Sequence, residues 1–265
     1  MTDKQEGSVT ERIERDEFSR GHIQPGQEPV APRPAATLIV ARPAAPQFEV
    51  LLLRRPDTTR FAAGAYVFAG GGIDAADGAE TLIDRLPPAA EPAALAAAVR
   101  ELFEETGLLL ADRLPDREDL EKARRELLHD TLDLAGLVDR FDLTFRDQNI
   151  VYIARWVTPE LLSRRYDARF FLAGHPGGEP QLTPELAGFT WLTPREALER
   201  FSAGSLPMLF PTRVTLERLA RYPTLDQALD EHRGADVSPI LPRLLVREGG
   251  VIPVMPDDPR YAELD

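Results

Sequence analysis

Short apolar runs of strand length alternate along this chain with segments whose apolar positions recur at helical spacing. Ala36 to Ala41 reads as a buried strand, and Phe48 to Leu53 as a second, across a turn built on Pro43 and Pro46. Ala65 to Phe68 is a third and leads into Gly70, Gly71 and Gly72. Residues 75–92 carry Pro87, Pro88 and Pro92 and are expected to form a loop or irregular insertion rather than one helix. From Ala93 to Leu108 an alanine-rich segment is helical by propensity, with Gly107 placed to end it. Arg117 to Leu128 predicts a charged surface helix, and strands are expected at Ile150–Val157, Arg169–Ala173 and Gly188–Leu192. Thr193-Pro194-Arg195-Glu196 has the residues of a helix start, Thr as N-cap and Pro at the first helical position. Thr224-Leu225-Asp226-Gln227 repeats that logic. Arg243 to Met255, interrupted by Glu248-Gly249-Gly250, predicts a terminal hairpin.

No internal repeat and no regular strand–helix–strand rhythm is present, so the pattern predicts an α/β domain with a mixed sheet flanked by helices. Residues 1–34, with Pro25, Pro29, Pro32 and Pro34, are expected to form an extended or partly disordered arm. The main domain is expected over 35–235, with 236–265 as an extension packed on it.

The helix at 93–108 changes the picture from fold to chemistry. Glu101, Glu104 and Glu105 stand at i, i+3 and i+4, so their carboxylates share a narrow arc. Leu95, Val99, Leu102 and Phe103 fall in another arc that would face the core. Ala94, Ala97 and Ala98, one turn earlier on the acidic side, are small residues that would leave room there. Three like charges so close repel one another unless a cation sits among them, and hard divalent ions take oxygen ligands. A solvated acidic helix face is the plain alternative. Against it stands the pattern Arg-Glu-apolar-x-Glu-Glu-x-Gly-apolar, whose chance occurrence in a chain this long is on the order of 10⁻⁴ at average residue usage.

Charge sharpens this reading. The 265 residues carry a net charge of −13, a field that repels nucleic-acid backbones, so any anionic ligand calls for a bound cation and local arginines. There are no cysteines, which excludes disulfides and thiolate chemistry and fits a reducing compartment. No apolar stretch has the length to span a bilayer, and the charged N-terminus lacks the apolar core of a signal peptide. A cytoplasmic location without membrane association is therefore expected. The oligomeric state is open, with a homodimer among the options.

Arg100 to Leu108 resembles, without deviation, the second half of the signature of the Nudix hydrolase superfamily. The first half departs from the pattern. Gly71 can serve as its glycine, but Asp77 stands where Glu is usual, with a long insertion before Arg100. Glu91 is the alternative for that acid. Such an insertion is similar to that of peroxisomal-type coenzyme A diphosphatases. Arg164-Arg165-Tyr166-Asp167-Ala168-Arg169-Phe170-Phe171 and Trp191-Leu192-Thr193-Pro194-Arg195-Glu196-Ala197 resemble the same branch.

The resemblance implies an α/β/α sandwich and a Mg²⁺- or Mn²⁺-dependent hydrolase acting on a small nucleotide-type diphosphate, with CoA or acyl-CoA favoured. An ADP-ribose or NADH diphosphatase and a non-catalytic nucleotide-binding module are its alternatives. It implies Glu104 and Glu105 as metal ligands with the Gly70 carbonyl. Glu101 would be a further ligand or the general base, and Arg100 would hold the carboxylates in place. Glu185 is a second candidate for base or ligand. Arg54, Arg55 and Arg60, together with Gly71, are expected to meet substrate phosphates, and Arg164 with Arg165 a further phosphate on a large substrate.

Overall fold

The computed structural model describes residues 27–59, 62–247 and 250–264. The expected arm therefore lies mostly outside the described residues, as does Arg60.

An eight-stranded mixed sheet forms the centre. β1 (Arg33–Pro43) pairs antiparallel with β2 (Phe48–Arg54) on one side and parallel with β6 (Tyr166–Gly174) on the other. β5 (Ile150–Val157) continues the sheet beyond β6, and β7 (Gly188–Leu192) pairs with β2 at the opposite edge. Two short strands, β3 (Tyr66–Val67) and β4 (Ala69–Gly72), enter where β1 and β2 part. β3 is antiparallel to β2, and β4 is antiparallel to β1. Because β1 and β2 themselves run oppositely, the chain turns sharply at Phe68 between them. Phe68 is buried and meets Phe170 edge-on, ring centroids 6.3 Å apart.

β1 is apolar without alternation because both of its faces are covered. Leu38 and Val40 pack with Leu95, Val99, Leu102 and Phe103 of α2 (Pro92–Thr106). Ile39 and Ala41 pack against the other layer, made by α5 (Pro194–Ser202), α6 (Phe210–Leu219) and α7 (Leu225–His232). α3 (Arg117–Leu128) has the bounds its charge pattern predicts, and it is followed by α4 (Leu134–Phe141). Among the described residues no helix is long and apolar enough to cross a membrane.

The helix-start signals are realised: the Thr193 side chain accepts from Glu196 N–H, and that of Thr224 accepts from Gln227 N–H. The terminal hairpin is β9 (Arg243–Arg247) with β10 (Gly250–Val254), and β8 (Pro239–Ile240) joins the main sheet beside β5.

Several expectations need correction. β1 begins at Arg33 and β6 at Tyr166, each three residues before the apolar run, because their first residues pair with each other in parallel register. The insertion at 75–92 is partly helical, with a 3₁₀ turn at Ala75–Gly78 and α1 (Glu80–Ile83) ahead of the prolines. α4 and α6 went unpredicted. Ala94, Ala97 and Ala98 leave no space beside the acids: all are buried, because α2 packs on the sheet and on its neighbours over most of its circumference.

Candidate active site

The acidic arc of α2 lies over the glycine strand. The Gly70 N–H donates to Glu105 Oε2 at 3.2 Å, and the Glu101 carboxylate rests directly against Gly71. A Cβ on Gly71 would stand 2.4 Å from the Glu101 carboxyl carbon, and one on Gly70 would stand 2.4 Å from the Ala36 carbonyl oxygen. Only bare backbone fits at Gly70, and at Gly71 a side chain fits only if Glu101 moves.

Arg100 ties the acids together. Its Nη1 reaches Glu101 Oε1 at 2.8 Å and Glu104 Oε2 at 3.4 Å, and Nη2 donates to the Gly72 carbonyl at 2.8 Å. Asp77 takes the guanidinium at two points and is 1% exposed, while Arg100 is 8% exposed. Asp77 in turn accepts from the Asp74 N–H, which fixes the 3₁₀ turn that carries it. Of the two acids left open by the sequence, Asp77 is thus the one at this site. Glu91, at the N-cap of α2, faces Arg169 instead at 3.7 Å.

The C-terminal turn of α2 is held from outside. A helix leaves its last carbonyls unsatisfied, and here each of three in a row receives a donor. Arg124 of α3 donates to the Glu104 carbonyl at 3.1 and 2.7 Å, Thr183 N–H to that of Glu105 at 3.3 Å, and Gln181 N–H to that of Thr106 at 2.7 Å. Gly107 closes the helix in the left-handed region, φ +72°. Sequence reasoning missed Arg124, Gln181 and Thr183; the only signal for them was the proximity of a charged helix along the chain.

Electrostatics mark the cluster as short of positive charge. Burial and the neighbouring Glu101 push the Glu105 carboxyl up to about 8, against the Gly70 hydrogen bond and the Arg55 charge. Burial lifts Glu104 to about 7, although Arg100 opposes it, and burial raises Glu101 as well. Burial also works against the Arg100 charge, yet the hydrogen bond to Asp77 and the surrounding carboxylates hold it above the usual arginine range. Arg100 sits between Glu101 and Glu104, and among the described residues no three acids already close on one point. Half-buried hard oxygen donors with unbalanced negative charge fit a divalent cation such as Mg²⁺ or Mn²⁺.

The remaining expected residues are placed unevenly. Arg55 lies near enough for its charge to act on Glu105, as does that of the exposed loop residue Glu185. Arg54 is paired with Asp57 at 2.9 and 3.0 Å. Arg165 stands apart from the acids: it is 6% exposed and donates to the carbonyls of Thr158 and Val30.

A mixed sheet between helical layers, with this signature helix laid over a glycine strand, defines the Nudix hydrolase class. The chain is similar to the crystal structure of a Nudix hydrolase from Alicyclobacillus acidocaldarius, with 33% identity and a TM-score of 0.67 over 76% of this chain and 96% of that one. The chain belongs to the family of the NUDT19 Nudix domain, whose pattern matches residues 84–219, and is a Nudix-type diphosphatase. It is 27% identical over 282 residues to the acyl-coenzyme A diphosphatase NUDT19 of Gallus gallus, spanning 82% of this chain and 73% of that protein. The Homo sapiens protein of the same name is 26% identical over 279 residues, spanning 83% and 74%.

Proposed function

We propose that this chain hydrolyses CoA or acyl-CoA at its diphosphate, using Mg²⁺ or Mn²⁺ held by Glu104 and Glu105 with Glu101 and the Gly70 carbonyl. The observation that carries the reading is Glu105 at Gly70 and Glu101 against Gly71, with Arg100 locked between Glu101 and Glu104. The names of the relatives add the substrate class.

A divalent cation bound there would neutralise the diphosphate oxygens and acidify a coordinated water. This chain's residues have the complementary tasks. Arg100 keeps Glu101 and Glu104 in position through charge-assisted hydrogen bonds. The bare backbone at Gly70 and Gly71 lets a phosphate approach, and Arg55 adds positive charge that acts on Glu105. Water oxygen bonds to one phosphorus while the bridging P–O bond breaks, and the departing oxygen leaves as a phosphate monoester. The water proton passes to a carboxylate, Glu101 or the loop residue Glu185. From CoA the products are adenosine 3′,5′-bisphosphate and 4′-phosphopantetheine.

The test is incubation of purified protein with CoA, an acyl-CoA, ADP-ribose and NADH, with Mg²⁺ or Mn²⁺, and identification of products by mass. Preferred cleavage of CoA or acyl-CoA supports the reading. Preference for ADP-ribose or NADH replaces it with the alternative diphosphatase.

A further inference from the structure

Glu104 and Glu105 are adjacent, so one peptide unit joins the two carboxylates proposed to hold the cation, and its oxygen is the Glu104 carbonyl. That oxygen accepts two bonds from one guanidinium, Arg124 Nε at 3.1 Å and Nη2 at 2.7 Å. The next carbonyl, of Glu105, receives a neutral backbone donor at the longer distance of 3.3 Å, from Thr183. A charge-assisted bond made at two points fixes direction as well as distance. The restraint falls on the last turn of a helix, where backbone hydrogen bonds otherwise open most readily.

The surroundings of Arg124 are arranged for this contact. Ala123 and Leu127 are buried in the core that holds Leu102 and Phe103, which seats α3 beside the end of α2. Two turns earlier, Arg117 pairs with Glu121 of its own helix at 2.7 Å, whereas Arg124 leaves its helix for α2. Gly107 makes the room. A Cβ there would stand 3.1 Å from Arg124 Nη1 and 3.5 Å from its Cζ, so the glycine that ends α2 also admits the guanidinium. Burial lowers the Arg124 guanidinium from its ordinary value, with the charges of Glu104 and Glu121 opposing, so the contact is held against desolvation.

We propose that Arg124 is a positioning residue for metal binding: through the peptide between Glu104 and Glu105 it fixes the angle at which the two carboxylates face a shared cation. This rests on the metal-dependent reading above, so its test measures binding apart from turnover. Removing Arg124 has two effects of opposite sign. Loss of a positive charge near the acids strengthens cation binding, and loss of the backbone restraint weakens it. The proposal requires the weakening to win. Mn²⁺ binding to the full chain, followed by electron paramagnetic resonance of the free ion, should weaken about tenfold or more in R124M, the usual scale for a residue that orients ligands. R124K keeps the charge but not the planar fork, and should weaken binding less than R124M yet measurably. The Mg²⁺ concentration for half-maximal hydrolysis of CoA should rise in the same order, with KM for CoA at saturating Mg²⁺ nearly unchanged. A purely structural role would lower the midpoint of thermal unfolding and leave the Mn²⁺ affinity of the folded protein alone. Equal or tighter Mn²⁺ binding in R124M, or in R124K should R124M fail to fold, overturns the proposal. An unaltered chain that binds no Mn²⁺ overturns the metal-dependent reading and this one with it.

Discussion

Arg100 and Asp77, 23 residues apart in the chain, form a two-point ion pair, Nε to Oδ1 at 3.0 Å and Nη2 to Oδ2 at 3.1 Å. The pair links the insertion to α2 and its acids. An insertion that looks like padding in the sequence thereby supplies the buried acid that orients the arginine among Glu101 and Glu104.

Asp77→Ala should remove that orientation and leave Arg100 with less compensating charge. Loss of one partner from a buried pair costs on the order of 3 kcal/mol of stability. Activity with Mg²⁺ should fall about 10- to 100-fold, the usual effect of removing a residue that orients a ligand. Chemical denaturation and steady-state kinetics measure the two effects separately. Full activity in Asp77→Ala would exclude a positioning role.

Gly70 and Gly71 should respond differently to alanine. On Gly70 the new methyl meets the Ala36 carbonyl in the backbone, so Gly70→Ala should lower the midpoint of thermal unfolding. On Gly71 it meets the Glu101 carboxyl, the end of a flexible side chain that can swing away. Gly71→Ala should therefore keep the fold, by circular dichroism and melting, and lose at least tenfold in kcat. An active, fully stable Gly71→Ala protein would show that the position of Glu101 against this strand is unimportant.

Without added metal, stability should fall as pH rises from about 4.5 to about 8. Glu105 titrates near 8 in the folded chain and Glu104 near 7, against 4.5 for an ordinary glutamate. The folded state binds more protons than the unfolded one across that window, and deprotonation then weakens it. Saturating Mg²⁺ or Mn²⁺ should flatten the slope, and binding at pH 7 should release protons, measurable by calorimetry in buffers of different ionisation enthalpy. A metal-free stability that climbs over the same range would contradict the burial of these acids.

Much of the fold and of the site is legible in the sequence. The i, i+3, i+4 acids, the apolar arc of Leu95, Val99, Leu102 and Phe103, and the caps at Thr193 and Thr224 rest on local periodicity. Local signals survive folding here because tertiary contacts agree with them. What stays hidden depends on contacts distant along the chain. The first three residues of β1 are polar or small and become strand through parallel pairing with β6. Asp77 and Glu91 have no rank in the sequence, because their distance from Arg100 in space depends on how the insertion folds. The donors from Arg124, Gln181 and Thr183 to the end of α2 likewise have no sequence pattern that names their targets.

The most direct test of the carboxylate assignment is the hydrolysis rate of CoA with saturating Mg²⁺ for the unaltered chain and for Glu105→Gln, with Glu104→Gln beside it. Glutamine keeps size and hydrogen bonding while removing the charge that would hold a cation. Both variants should melt at or above the temperature of the unaltered metal-free protein, because a strained buried carboxyl is gone. Each should lose about 10²- to 10³-fold in kcat, the range for removal of a group that stabilises developing charge. Hydrolysis at the unaltered rate in either variant would contradict the assignment of these carboxylates to the reaction.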